Sequence, residues 1–332
     1  MRSLPTMMLA LCLPVSVAAG QTVIERTDVI ISNGEIELAG TVLVPGVNGP
    51  FPGLILVHGS GPGERSELLE VATRFASEGI AVLIYDKRGS GHSGGNWITS
   101  SLTDLASDAA AVFRFLVNQP QIDSRRSGFW GISQGGWIVP LAANMTSPAF
   151  VIAVTGGGLS PHELETAGYR AIVRRTDSSE TAIDDANVLI EAYFDYLAGS
   201  IPYESLTDII EGFRSEVWLS AMGIERVIPS PKNRGNWEWV ATFEPQKSIQ
   251  ELTVPALVLL GAKDPLAPAD NTARAWRESL SSDIANSQVI VFQDAGHGMR
   301  TGGHGGDFVA DYFTTQFEWL RVIGVLQDMP GK

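Results

Sequence analysis

The stretch GFWGISQGGW, residues 128–137, sets Ser133 among glycines where an apolar run meets a helix-compatible segment. Residues 131–135 have the spacing G-x-S-x-G, which is typical of a sharp turn from a strand into a helix. Glycine is favoured on both sides because a Cβ there would collide with neighbouring backbone. The following helix, predicted over 134–145, directs free N–H groups towards the serine hydroxyl. The spacing predicts a nucleophile, although a small-residue turn without chemistry would share it.

A nucleophilic serine needs a general base and a carboxylate that orients the base, and later segments of the chain offer both. Asp264 follows the predicted strand 256–260 in LLGAKDPLAP, and His297 follows the predicted strand 289–292 in FQDAGHGM. Both residues therefore fall at the carboxyl ends of parallel strands. We expect them at the same edge of the sheet as Ser133, where open α/β sheets place their sites.

Other residues compete for these two roles. His304 is close to His297 in the chain, but we expect it near the start of the last helix. Asp294 is too near His297 for easy side-chain approach, and Asp270 is expected in the first turn of a helix. The sequence therefore favours His297 as the base and Asp264 as the acid.

The segment HGSGPG, residues 58–63, follows a predicted strand that ends at Val57. Its glycines allow the backbone to turn beneath a bound carbonyl. The N–H of Ser60 can then join that of Gln134 as two donors to an oxyanion. A tight turn without this role is the alternative interpretation, and His58 is expected to brace the loop by hydrogen bonding.

Apolar runs alternate with helical patterns along most of the chain, which predicts an α/β fold with parallel strands joined by helices. The first two runs, 23–31 and 36–44, flank Asn33-Gly34, a dipeptide that favours a hairpin, so the sheet should begin antiparallel. The other predicted strands are 54–57, 81–85, 128–132, 150–154, 256–260 and 289–292.

Residues 159–249 break this alternation. The segment is rich in aromatic and acidic residues and lacks a convincing central strand, so we expect a helical insertion that forms a lid on a core made of residues 21–158 and 250–332. The alternative is a second helical layer with no role in binding. The aromatic residues are Tyr169, Tyr193, Phe194, Tyr196, Tyr203, Trp218, Trp237 and Trp239.

Taken together, these motifs resemble those of the α/β-hydrolase superfamily from about Gly40 to the C-terminus. The branch most similar to this chain contains secreted or periplasmic esterases and serine aminopeptidase-like hydrolases with a helical lid. The resemblance implies that Ser133 is the nucleophile, Asp264 the acid and His297 the base. Its motifs are LVHGSGPG at 56–63, YDKRGSGHS at 85–93, FEPQKSIQELTVPALVLLGAKD at 243–264 and DAGHG at 294–298.

The substrate class stays open among several hydrolases. We expect first a carboxylesterase that cleaves small to medium acyl esters through an acyl-enzyme, then an exo-acting aminopeptidase or amidase, then a thioesterase. A cofactor-free haloperoxidase side activity would use the same residues, and the fold also hosts non-catalytic binding proteins. An aminopeptidase needs an acidic group for the substrate ammonium, and the helical insertion offers Glu191, Asp195, Glu204, Asp208 and Glu211.

The composition excludes several other functions. With 332 residues, 44% of them hydrophobic, the chain can bury a large core. A formal net charge of −14 without a basic run opposes binding to nucleic acid or anionic membranes. Neither metal-ligand spacing nor a phosphate-binding glycine loop occurs, so we expect no cofactor beside a small-molecule ester or amide substrate. No pattern indicates an oligomeric state.

The first twenty residues form a separate segment. Arg2 precedes an apolar run over 4–17 that ends in small residues, which is the layout of a secretory signal peptide. The run is shorter than the roughly 20 apolar residues that a stable membrane anchor needs. We therefore expect a secreted or periplasmic protein. Cys12, the only cysteine, would be removed with the signal, which leaves no disulfide.

Overall fold

The structure, a computed structural model, describes residues 23–46, 49–302 and 306–327. The predicted signal peptide over 1–20, with Cys12, and the competing His304 lie outside the described residues.

The described residues contain eight strands: β1 (Ile24–Asn33), β2 (Ile36–Pro45), β3 (Phe51–Val57), β4 (Ala81–Tyr85), β5 (Ile122–Ile132), β6 (Phe150–Val154), β7 (Ala256–Gly261) and β8 (Gln288–Phe292). They form one mixed sheet in the order β1-β2-β4-β3-β5-β6-β7-β8. The first two strands pair antiparallel, β2 pairs antiparallel with β4, and every later pairing is parallel, as expected from the sequence. The carboxyl ends of β3 to β8 therefore share one edge.

The sheet is covered by helices on both faces, because its strands alternate apolar side chains between two cores. In β3, Ile55 and Val57 belong to one core and Leu54 and Leu56 to the other. The helices are α1 (Leu69–Ser77), α2 (Leu102–Val117), α3 (Gly135–Asn144), α4 (Pro161–Thr176), α5 (Glu180–Ala198), α6 (Tyr203–Gly212), α7 (Val217–Met222), α8 (Glu238–Thr242), α9 (Pro245–Gln250), α10 (Ala269–Ser279) and α11 (Tyr312–Val322).

Strand β5 exceeds its predicted length by more than any other strand. The apolar run of β5 begins at Gly128, but the strand begins at Ile122, where it pairs with Phe51. The intervening residues are mostly polar, and a register irregularity after Pro52 lets the Ser127 hydroxyl accept the backbone N–H of Gly53 at 3.0 Å. Hydrophobicity alone misses this extension because hydrogen bonds, not apolar burial, hold it in the sheet.

Between β6 and β7 the chain is helical, from α4 to α9, with no strand over residues 155–255. This region has a core of its own around Leu189, Tyr196 and Trp218. The boundaries of the helical insertion at 159 and 249, and its role as a lid, stay predictions. Across the described part of the chain, every helix is too short or too polar to cross a membrane.

Candidate active site

Ser133 occupies a strained turn between β5 and α3. Its φ of 55° lies in the left-handed region, which non-glycine residues rarely adopt. Its N–H donates to the carbonyl of Val154 at 2.8 Å, which ties the turn to the end of β6. A Cβ on Gly131 would lie 2.5 Å from the carbonyl oxygen of Gly135, and one on Gly135 would lie 2.7 Å from that of Val57. Close backbone packing thus explains both glycines of the motif.

Asp264 and His297 are in direct contact in the loops after β7 and β8. The Nδ1 of His297 lies 2.8 Å from an Asp264 carboxylate oxygen. The other carboxylate oxygen accepts the backbone N–H groups of Leu266 at 2.8 Å and Ala267 at 3.1 Å. The Asp264 side chain is only 1% exposed, so these bonds fix the carboxylate, and it in turn fixes the imidazole. This arrangement leaves Nε2 of His297 available to a nucleophile.

Backbone hydrogen bonds hold the two loops together. The N–H of Ala262 donates to Phe292, and that of Lys263 donates to Ala295, both at 2.9 Å. Asp294, the alternative acid, is exposed and bonds the Lys263 ammonium at 2.6 Å. Asp270 lies in the first turn of α10, as expected. Of the candidate acids, Asp264 alone is bonded to His297 among the described residues.

Ser133 lies beside the cavity that His297 lines. A Cβ on Gly59 would be 3.2 Å from the Cβ of Ser133, and Gly59 and His297 line one cavity of about 270 Å³. The Ser133 hydroxyl forms no hydrogen bond with any residue that the structure describes. Contacts between a nucleophile and its base often tighten only when substrate binds. The structure therefore pairs acid with base and sets the serine nearby, and the catalytic roles stay predictions.

The two predicted oxyanion donors face a second cavity, of about 260 Å³. Both Ser60 and Gln134 line it, and their backbone N–H groups donate to no group in the described chain. Gln134 immediately precedes α3, where N–H groups have no partner within the helix. His58 braces the loop as expected, since its Nε2 lies 2.7 Å from the carbonyl of Tyr85. Two free donors beside the serine can stabilise an anionic oxygen.

This second cavity adjoins a third, of about 550 Å³, which is lined largely by residues of the helical insertion. We call the two together the acyl cleft, because they share Ile98, Glu165, Trp237 and Val240. Of the aromatic residues of the insertion, Phe194, Tyr196 and Trp218 pack in its core, and Tyr193 belongs both to that core and to the lining of the acyl cleft. The cleft-lining aromatic residues are Tyr169, Tyr193, Trp237 and Trp239.

One carboxylate faces the acyl cleft, and it is not among the acids considered from the sequence. Glu165 lines both parts of the cleft, and its carboxylate has no hydrogen bond or ion pair with a described residue. Burial raises its pKa to about 7. Glu165 and Tyr169 are four residues apart on α4 and so share a helix face, a spacing that could have identified Glu165. The acids considered earlier are exposed and lie outside the cleft: Glu191, Asp195, Glu204, Asp208 and Glu211.

A second missed residue is Lys87, which follows β4 within the motif YDKRGSGHS. It is buried and lines the acyl cleft beside Ser60 and Gln134. Within the described ranges, no group of three or more His, Cys, Asp or Glu side chains is arranged to hold a metal ion. The groups that the site does offer are a serine, an imidazole–carboxylate pair and free backbone donors.

Comparison with known proteins gives one family and a common fold. Residues 68–166 match the prolyl oligopeptidase family. The chain is 23% identical to esterase EstD of Thermotoga maritima over 84% of its own length and 61% of that protein's length, less than two thirds of the relative. The α/β hydrolase GrgF of Penicillium sp. sh18 superposes with a TM-score of 0.59 at 18% identity, over 90% of this chain and 98% of GrgF. The Pyrococcus furiosus esterase Pf2001 superposes with a TM-score of 0.55 at 18% identity, over 91% of this chain and 90% of that esterase. These structures confirm the predicted fold.

The packing at the turn predicts a steric effect. Gly135→Ala should lower the free energy of unfolding by about 1–3 kcal/mol, because the new Cβ would press on the backbone of Val57. Gly168→Ala is the matched control: it lies inside α4 with no atom within 4 Å of the added Cβ, and should raise stability by about 0.5–1 kcal/mol. Urea denaturation measures both. A Gly135→Ala protein as stable as wild type would contradict the tight packing described.

Proposed function

We propose that this chain, which has the α/β-hydrolase fold, is a serine hydrolase that cleaves carboxylic esters of small to medium acyl groups. The observation that carries the proposal is the bond between His297 and the buried carboxylate of Asp264, at the sheet edge that also carries Ser133. Supporting it are the free N–H groups of Ser60 and Gln134 beside that serine. The likeness to esterase EstD agrees with this chemistry.

In the proposed reaction, the Ser133 oxygen attacks the ester carbonyl carbon while its proton moves to Nε2 of His297. The carbonyl oxygen becomes an anion held by the N–H groups of Ser60 and Gln134. The bond to the alcohol then breaks, and His297 gives its proton to the departing oxygen, which leaves an acyl-enzyme. Water, deprotonated by His297, attacks this ester, and collapse releases the acid and restores Ser133. Asp264 holds the imidazole in the correct tautomer and stabilises its charged form throughout.

The acyl cleft suggests how the two halves of the substrate lie in the site. The two oxyanion donors line this cleft, whereas His297, which must reach the leaving oxygen, lines the separate cavity of about 270 Å³. The acyl group therefore extends under the helical insertion, against Trp237 and Trp239, and the alcohol lies on the side of His297. In this role the insertion is a lid over the acyl group.

Replacing the nucleophile tests the proposal directly. Ser133→Ala should lower kcat for p-nitrophenyl butyrate by at least about 10⁴-fold and abolish labelling by a fluorophosphonate, because no other group forms the acyl-enzyme. Circular dichroism should show an unchanged fold. Wild-type rates in this variant would refute the assignment of Ser133.

Two carboxylates provide the matched control. Asp264→Asn should lower kcat by about 10⁴-fold, because the amide no longer holds the imidazole in the productive tautomer. Asp294→Asn removes only the exposed ion pair with Lys263 and should leave kcat within about twofold of wild type, since such pairs contribute little. Equal losses in the two variants would contradict the assignment of the acid.

Glu165 favours a second candidate, an aminopeptidase or amidase that acts on substrates with an amino group on the acyl side. A carboxylate without a partner in the acyl cleft can pair with a substrate ammonium. The rings of Tyr169 and Tyr193 line the same part of the cleft and would surround that ammonium with apolar and π surface. This candidate uses the same reaction at Ser133, with an amide or ester bond to an aminoacyl group.

Glu165→Gln separates the two candidates. If the carboxylate pairs with the substrate, the variant should lower kcat/KM for alanine p-nitroanilide at least about 10-fold, because a buried charge loses its partner. Its kcat/KM for p-nitrophenyl butyrate should stay within about twofold, since butyrate carries no ammonium. Glu191→Gln, an exposed acid on α5, is the control for removal of a negative charge. If the wild type does not hydrolyse the anilide, the aminopeptidase candidate is refuted and the esterase candidate remains.

Glu165→Gln should also change how the stability of the protein depends on pH. The raised pKa of Glu165, about 7, means that the folded protein holds this proton more tightly than the unfolded chain. Raising the pH from about 4.5 to 7 therefore destabilises the wild type relative to Glu165→Gln, and the penalty is complete above pH 7. The variant should melt at a higher temperature than wild type at pH 8 and at the same temperature at pH 4. Equal melting temperatures at both pH values would show that Glu165 is not desolvated.

A further inference from the structure

Lys87 is buried directly beneath the loop that carries Ser60. It is only 4% exposed, although lysine is almost never fully buried unless it is paired. No carboxylate in the described part of the chain forms an ion pair with it. A lysine that served the core alone would be expected to meet an acidic partner. Its acceptors are instead two backbone carbonyls and one side-chain amide of the candidate site.

The three N–H groups of the ammonium match three acceptors. Nζ donates to the carbonyl oxygen of Gly59 at 2.9 Å, to that of Gly61 at 3.0 Å and to Oε1 of Gln134 at 2.6 Å. Ser60 lies between the two glycines that accept. One cation is therefore bonded to both sides of Ser60 and to Gln134, the residues that supply the two oxyanion donors.

Because of the geometry of the peptide bond, the hydrogen bond from Lys87 to the carbonyl of Gly59 also orients the N–H of Ser60. A trans peptide is planar, and its C=O and N–H point in opposite directions. Holding the carbonyl of Gly59 towards Lys87 therefore directs the N–H of Ser60 away from Lys87. The loop needs this restraint, because Gly59 and Gly61 flank Ser60 and the φ of Gly61 is +84°, a region open to glycine. The same ammonium also holds the side chain of Gln134 through Oε1.

We propose that Lys87 is a positioning residue of the oxyanion site: its ammonium sets the direction of the Ser60 N–H and ties that loop to the side chain of Gln134 without touching the reacting atoms. This inference rests on the proposed hydrolase function. Burial lowers the pKa of Lys87 to about 8, which reflects the cost of keeping a cation under the loop. The three hydrogen bonds offset that cost and hold the loop in one conformation before substrate arrives.

Lys87→Met tests the proposal, because methionine fills the space of the stem without the ammonium. We expect kcat for p-nitrophenyl butyrate to fall about 10²-fold, since misplaced donors weaken transition-state stabilisation, while KM stays within about twofold. The inhibition constant of an alkyl trifluoromethyl ketone, which forms a tetrahedral oxyanion on the serine, should rise by the same factor as kcat falls. Lys247→Met, an exposed lysine on α9, is the control and should change none of these values.

A double-mutant cycle tests whether Lys87 affects kcat through its bond to Gln134. Gln134→Leu removes one of the three acceptors and should lower kcat about 10-fold. The double variant should be no slower than Lys87→Met alone, because the effects of substituting residues that act as a unit do not add. Gln134→Leu also keeps the proposal testable if Lys87→Met does not fold.

Three outcomes would overturn the role of Lys87: a wild-type kcat in folded Lys87→Met, a rise in KM with an unchanged inhibition constant, or fully additive losses in the cycle. A wild-type protein that hydrolyses no ester and resists fluorophosphonate would instead refute the proposed function. The two failures are thus distinguishable.

Discussion

The strained backbone of Ser133 is the constraint on which the rest of the site depends. A left-handed residue at the end of a central strand costs about 1–3 kcal/mol and persists only where the surroundings impose it. Here β6 accepts the N–H of Ser133, and the backbones of β3 and α3 press on the flanking glycines. Because the chain turns so sharply, α3 begins at once, and the N–H of Gln134 remains free beside the serine. The predicted nucleophile and one of the predicted oxyanion donors thus come from a single turn.

The charged groups near this turn fall into two kinds. Asp264 and Lys87 have their hydrogen-bonding atoms satisfied by neighbouring groups, so they rigidify the loops that carry His297 and Ser60. Glu165, in contrast, faces the acyl cleft without a partner among the described residues, and the protein bears the cost of its desolvation. Satisfied charges orient the machinery, whereas an unsatisfied charge is free to meet a substrate. For this reason Lys87 is proposed to position a loop, whereas Glu165 is proposed to bind a substrate.

Most of the sheet could be predicted from the sequence because buried parallel strands are continuous apolar runs, as in 81–85 and 150–154, both of which the structure reproduces. The order of the site residues followed from the motifs and from the shared edge of parallel strands. The polar start of β5 was missed because side-chain hydrogen bonds, which carry no periodic pattern, hold it.

The residues of the acyl cleft were harder to predict. Sequence shows that the helical insertion is acidic, but the direction of each carboxylate depends on how the helices pack. Five acids singled out from the sequence are exposed, whereas Glu165 on α4 faces the cleft. Lys87 was missed for the same reason: a long side chain can reach carbonyls that are distant in the chain, and no spacing rule encodes that reach. The boundaries of the insertion and the signal peptide remain predictions.

The most direct test of the account is a crystal structure of the protein after reaction with an alkyl fluorophosphonate. We expect phosphorus bonded to Oγ of Ser133, and a phosphoryl oxygen about 2.7–3.1 Å from the backbone nitrogens of both Ser60 and Gln134. The alkyl chain should extend into the acyl cleft towards Trp237. Phosphorus on another residue, or a phosphoryl oxygen directed away from these two nitrogens, would contradict the central claim.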